Sequence, residues 1–168
     1  MDRNTVLFYH EKGRFGEFSN FFPSPIVYKG KTYPTSEHAF QAMKFVDYIE
    51  YQEVIRTANT PNMAKILACQ RTGGQYKWRT DMNPTILSYK KQGVKLRQDW
   101  EEVKIEIMYE ILMEKFSTNQ KLKKVLLSTG NSMLVEHTTR DDFWGDGGDG
   151  SGQNMLGKTL VKVRDNLK

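Results

Sequence analysis

A single cysteine, Cys69, stands in 168 residues, which excludes a scaffold stapled by internal disulfides. No run of about 18 apolar residues occurs, so no segment reads as a membrane-spanning helix. The opening Met1-Asp2-Arg3-Asn4-Thr5 leads straight into Val6-Leu7-Phe8-Tyr9 and lacks the form of a secretory signal. With one thiol and no leader, a cytoplasmic location is expected. His10, His38 and His137 are isolated, so no His/Cys set offers zinc ligands, and no metal site is expected. The glycine-rich "DDFWGDGGDGSG" also fails as a calcium loop. Counting from Asp146 puts Gly157 where the bidentate Glu must stand, and counting from Asp142 puts Gln153 there. There is no internal repeat and no linker at which to cut the chain.

What is present is a globular composition, 38% hydrophobic and 12% aromatic, enough for one domain spanning residues 1–168. The net charge of +5 suits an anionic ligand. The lysines at 90, 91, 95, 121, 123 and 124 read as solvated faces, and no nucleic-acid motif accompanies them.

Three regions follow in order. Residues 6–34 read as short strands and turns: a strand over Val6–Tyr9, then Pro25–Tyr28 and Thr32-Tyr33 bracketing a Lys29-Gly30-Lys31 turn. Residues 35–128 read as mainly helical. Thr35 or Ser36 caps a helix after Pro34, with Glu37 in its first turn. Trp100, Val103, Ile107, Met108, Ile111 and Leu112 repeat at helical spacing as far as Phe116. Leu122, Val125 and Leu126 mark a shorter helix closed by Gly130. Residues 70–95, with Gly73-Gly74 and Asn83-Pro84, read as a surface excursion. A strand at Met133–Val135, the glycine-rich loop and a helix from about Met155 complete the chain. The fold class is α+β, helix-dominated, with a small antiparallel sheet.

Within the last region, "GQNMLGKT" (152–159) satisfies the phosphate-loop pattern G-x-x-x-x-G-K-[ST]. The context does not. A phosphate loop needs a buried strand ahead of its glycines, and here the preceding residues are Trp144 to Ser151, carrying Asp146 and Asp149. Strand–helix alternation of the doubly wound kind is absent too. One element survives: Asn154 reads as an N-cap, with the amides of Met155, Leu156 and Gly157 open to an anion. An ordinary glycine loop with a cap is the plainer reading.

In "PTSEHAFQAMKFVDY" (34–48), Glu37, Gln41, Lys44 and Tyr48 share a narrow stripe at about 100° per residue, while Ala39, Ala42, Met43 and Val46 take the other face. Periodicity by itself favours a solvated face, with Glu37 a dipole carboxylate and Lys44 an exposed amine. The alternative is a pocket wall, because Phe40 and Phe45 border the stripe. A carboxylate and an amine aimed into one cleft can serve as acid/base and nucleophile.

The stretches "FGEFSNFFPSPI", "GKTYPTSEHAFQAMKF", "LRQDWEEVK" and "LVEHTTRDDFWGDGGDGSGQNMLGKTLVKVR" together resemble the NADAR (YbiA-like) family, from about Phe8 to Arg164. The specific parts are S-N-F, P-T-S-E-H-x-F-Q-A-x-K-F, W-G-D-G and N-x-L-G. The last uses Asn154, Leu156 and Gly157 and leaves Lys158 and Thr159 unconstrained, which makes the phosphate-loop match a coincidence.

The resemblance implies an N-glycosidase. Its substrates are phosphorylated riboflavin-pathway intermediates or ADP-ribosylated guanine, so the implied partner is a small nucleotide-like molecule or ADP-ribosylated nucleic acid, with no membrane and no cofactor. Lys44 is implied to attack the anomeric carbon and form a Schiff base, and Glu37 to be the acid/base group. Trp144 and Asp146 are implied for the ligand pocket, Asn154 and Gly157 for the phosphate end, and Asn20 and Phe21 for the sugar or base side. Gln41, on the same stripe, joins the substrate-binding set. A two-carboxylate hydrolysis by Glu37 with Asp146 or Asp149 is the mechanistic alternative. A non-catalytic ADP-ribose-binding module is the functional one. Residues 70–95 are longer than in compact members of the family and are expected to shape the base-binding side.

Overall fold

The computed structural model describes residues 4–70 and 83–168. Strand β1 (Thr5–Phe8) pairs in parallel with β4 (Met133–Glu136), Thr5 facing Met133 and Phe8 facing Glu136. Strands β2 (Ile26–Tyr28) and β3 (Lys31–Tyr33) form the expected antiparallel hairpin. Its turn is Lys29-Gly30, both at positive φ, as a tight hairpin with right-handed strand twist requires. The parallel pair was not legible locally. A parallel partner must return through a long crossover, and here nearly the whole helical region is that crossover.

Helix α1 (Ser36–Ala42) starts where expected, with Thr35 Oγ1 accepting the His38 N–H at 3.3 Å. It ends sooner than the stripe predicts. A 3₁₀ turn over Met43–Phe45 follows, and α2 (Ile49–Arg56) begins after Tyr48. Helix α3 (Pro61–Cys69) is capped by Thr60. Within the expected surface excursion, residues 83–91 instead form helix α4 (Asn83–Lys91), which buries Ile86 completely. Pro84 is tolerated there because first-turn positions need no intrahelical N–H bond. The remainder of that stretch, 71–82, lies outside the described residues.

The long helix α5 (Trp100–Thr118) supplies the centre of the core through Ile111, Leu112 and Phe116, all fully buried. Helices α6 (Gln120–Ser128) and α7 (Met155–Asn166) pack against it, and α7 also covers β4. Each large apolar side chain removed from water contributes roughly 1.5–3 kcal/mol, so this seam outweighs the two short strand pairs. No described helix is long and apolar enough to cross a membrane.

Candidate active site

A cleft of about 1380 Å³ opens between the α1 segment, the Ser19–Phe21 loop, the N-terminal half of α5 and the residues that follow β1 and β4. That exceeds the ~300–1,000 Å³ typical of small-molecule pockets, so a nucleotide-sized ligand fits. Glu37, Gln41 and Lys44 all line it. The stripe is therefore a pocket wall rather than a solvated face. Tyr48 leaves the stripe, since the helix breaks before it, and its hydroxyl donates to Gly93 O at 3.1 Å.

Lys44 sits in the 3₁₀ turn, whose carbonyl at that residue accepts the Arg97 N–H at 2.9 Å. Its Nζ lies 5.4 Å from the Trp100 ring centre and 6.0 Å from that of Phe40. Among the described residues no carboxylate comes within ion-pairing distance of it. Burial, above all, pushes the Lys44 amine below its ordinary value; Cys69 and Glu37 oppose this, and Lys65 adds to it. The apolar wall differs from the one expected. Phe45 is turned into the core against Tyr51, at 4.9 Å, while Trp100 takes its place beside Phe40.

Glu37 is buried, and its Oε1 accepts Gln41 Nε2–H at 2.7 Å. The Glu37 backbone N–H donates to Asn20 O at 3.0 Å, which locks the S-N-F loop onto the start of α1. Asn20 and Phe21 both line the cleft. Gln41 Oε1 and Asn20 Oδ1 are buried without a hydrogen-bond partner among the described residues. Such orphan acceptors are costly unless a ligand's donors meet them.

The S-N-F loop has a second anchor that the sequence did not disclose. Lys115 on α5 is fully buried and its Nζ donates to Ser19 O at 2.9 Å. Burial holds its amine down at about 7, with Glu17 opposing.

On the opposite wall, Trp144 lines the cleft and meets Phe40 edge-to-face at 5.3 Å. The other residues read from the glycine loop do not line it. Asp146 spends its carboxylate on His137 Nδ1 (2.7 Å), the Thr138 N–H (3.0 Å) and the Gly148 N–H (2.9 Å). Burial raises Asp146, but the His137, Gly148 and Thr138 hydrogen bonds prevail and hold it below the ordinary carboxylate range.

Asn154 does stand at the N-cap of α7, its carbonyl accepting the Lys158 N–H at 3.1 Å, but its side chain does not cap the helix. It adopts a left-handed conformation, φ 50°. Its side chain instead bridges β4, donating to Leu134 O at 2.8 Å and accepting the Glu136 N–H at 3.0 Å. Two of the three helix-start amides read as open to an anion are occupied: Met155 N–H donates to Phe143 O and Leu156 N–H to Trp144 O. Gly157 is where α7 meets β4, and a Cβ there would lie 2.0 Å from Leu134 O. Lys158 is exposed and Thr159 Oγ1 donates to Met155 O at 2.7 Å, so neither part of the phosphate-loop match faces the cleft.

Sequence reasoning missed Trp100, Glu136, His137 and Arg140, all of which line the cleft. Trp100 was legible only as the first apolar residue of a helix. Glu136 ends, and His137 follows, a strand whose partner lies at the other end of the chain.

The NADAR domain model matches residues 7–168. N-glycosidase YbiA of Escherichia coli (strain K12) is 39% identical over 167 residues, covering 99% of this chain and 91% of that protein. The riboflavin biosynthesis protein VVA0006 of Vibrio vulnificus is 35% identical over 163 residues, 97% of this chain but 38% of that longer protein. The NMR structure of E. coli YbiA superposes with a TM-score of 0.79 at 38% identity, covering 99% of this chain and 86% of that one. With a family model spanning nearly the whole chain and the same fold in a solved relative, this protein belongs to the NADAR family.

Proposed function

We propose that this N-glycosidase, a hydrolase acting on N-glycosyl bonds, cleaves a base from ribose 5-phosphate or from ADP-ribose, with Lys44 as nucleophile. The observation that carries the reading is the Lys44 amine itself. It is buried against Trp100 and Phe40, lacks a carboxylate partner among the described residues, and is held below its ordinary value in a cleft shared with Glu37. Desolvation raises the neutral share of such an amine, and the neutral form can attack C1′ of the sugar, opening it to a Schiff base that water then hydrolyses.

Glu37 supplies the acid/base carboxylate, and the Gln41 amide orients it. Asn20 and Gln41 offer their free acceptors to sugar hydroxyls, and Trp144 offers a stacking face for the base. Asp146 supports His137 from behind. Asn154 and Gly157 are committed to β4, so the phosphate end belongs to the cationic rim of Arg140, Lys65 and Lys104. The name of the Vibrio relative favours phosphorylated riboflavin-pathway intermediates as substrates, and the size of the cleft also admits an ADP-ribosylated guanine, free or in nucleic acid.

A base-release assay comparing ribosylaminopyrimidine phosphates with ADP-ribosyl-guanosine tests the substrate class. Borohydride added during turnover is expected to trap the sugar on Lys44. Full activity in Lys44→Ala would sink the lysine route.

A further inference from the structure

One carboxylate in the cleft has no task in that reading. Glu136, the last residue of β4, lines the cleft with Glu37 and Lys44. Among the described residues its carboxylate enters no hydrogen bond and no ion pair. Its backbone, by contrast, is fixed on both sides. The N–H donates to Asn154 Oδ1, and the carbonyl accepts the Asp146 N–H at 2.9 Å. Gly145 passes so close that a Cβ there would sit 3.0 Å from Glu136 O. W-G-D-G and N-x-L-G thus converge on the end of β4, and the side chain presented there is Glu136.

The carboxylates first considered as partners for Glu37 are occupied elsewhere. Asp146 holds His137 and two backbone amides, and the exposed Asp149 accepts from Ser151 Oγ at 2.6 Å. Glu37 accepts a hydrogen bond from Gln41, the role of a carboxylate, while Glu136 has no donor among the described residues to stabilise its charge.

We infer that Glu136 is the catalytic acid that protonates the departing base nitrogen while Glu37 serves as the base. This rests on the lysine route above. As Lys44 Nζ bonds to C1′, the C1′–N bond breaks, its electron pair goes to the base nitrogen, and that nitrogen takes the Glu136 proton. The lysine nitrogen next gives a proton to the ring oxygen, which opens the sugar as a protonated imine. Water adds to the imine carbon as Glu37 takes its surplus proton, which exchange with solvent then hands back to Glu136. Collapse then frees the amine and the ribose aldehyde, so only water is consumed.

The surroundings keep this acid protonated. Burial first, then the negative charge of Asp141 and Glu37 and, more weakly, Asp146, push Glu136 up to about 7, with Lys65 on α3 opposing. Lys44 on the 3₁₀ turn, Tyr9, His10 and Glu11 beyond β1, Lys104 on α5, and His137 and Arg140 beyond β4 are the other charged or titratable groups around the same cleft. Two carboxylates in unlike environments divide the acid and base roles.

The test is Glu136→Gln assayed on a ribosylaminopyrimidine 5-phosphate. We expect kcat to fall roughly 10²–10⁴-fold with KM little changed. The acid must carry its proton, so wild-type kcat falls as pH rises through about 7, and the variant loses that fall. Glu136→Asp restores part of the rate and regains the fall. Borohydride with ribose 5-phosphate reports Lys44 alone, because no base departs, and Glu136→Gln is expected to trap sugar as well as wild type does. Wild-type rates in Glu136→Gln, or persistence of the pH fall, overturn the inference. Loss of trapping together with base release also overturns it, since that marks a structural role. Failure of wild type to trap sugar sinks the lysine route instead, and the pH profiles still judge Glu136.

Discussion

The two walls of the cleft do different work. The α1 segment and its 3₁₀ turn point reactive groups, Glu37, Gln41 and Lys44, into open space. The glycine-rich loop between β4 and α7 turns most of its polar groups onto itself and onto β4, as Asp146, Asp149 and Asn154 each illustrate. A motif on a helix can present side chains because the helix satisfies its own backbone. A loop has no such ladder, so its Asp and Asn side chains are spent on backbone N–H and C=O groups that would otherwise be orphaned. Density of motif residues therefore marks a scaffold on one wall and side chains presented to the cleft on the other.

This contrast predicts opposite signatures on mutation. Glu37→Gln keeps the shape and the Gln41 contact, so base release is expected to drop about 10²–10⁴-fold while the melting temperature hardly moves. Gly157→Ala should do the reverse. A methyl group 2.0 Å from Leu134 O forces α7 off β4, and a loss of about 3 kcal/mol, or roughly 6–12 °C in Tm, is expected in thermal unfolding. A Tm unchanged in Gly157→Ala would break the contrast.

Asn154→Ala is intermediate. It removes two hydrogen bonds to β4 from a residue at positive φ, costing about 2 kcal/mol in denaturant titration, and it weakens catalysis by loosening Glu136. Asn154→Gly keeps the left-handed backbone and separates the conformational cost from the lost bonds. At the small end, Lys158→Ala should change stability by less than about 0.5 kcal/mol and leave base release untouched, because this exposed lysine faces away from the cleft. Lost activity in that variant would reopen the phosphate-loop reading.

Much of the fold was legible in the sequence because its signals are local. Thr35 capping α1, the Lys29-Gly30 turn and the apolar spacing of α5 each act within a few residues of chain. Helix α4 was misread because Pro84 looks the same as a breaker and as a first-turn residue, and only the burial of Ile86 separates the two. Of the site, helical spacing grouped Glu37, Gln41 and Lys44 on one stripe but favoured a solvated face for it; the family resemblance singled them out, and the spacing carried Tyr48 along and put Phe45 on the wrong wall.

What the sequence by itself determined was thus the class of fold, the family resemblance and, through it, the stripe that carries the amine. Only the tertiary structure decided which residues share the cleft. Trp100 beside Lys44, Lys115 beneath Ser19 and Glu136 held by Asn154 join positions far apart in the chain. The reason is physical. Helix periodicity and capping are set by neighbours a turn away, whereas the desolvation of an amine or a carboxyl is set by whatever the folded chain packs around it.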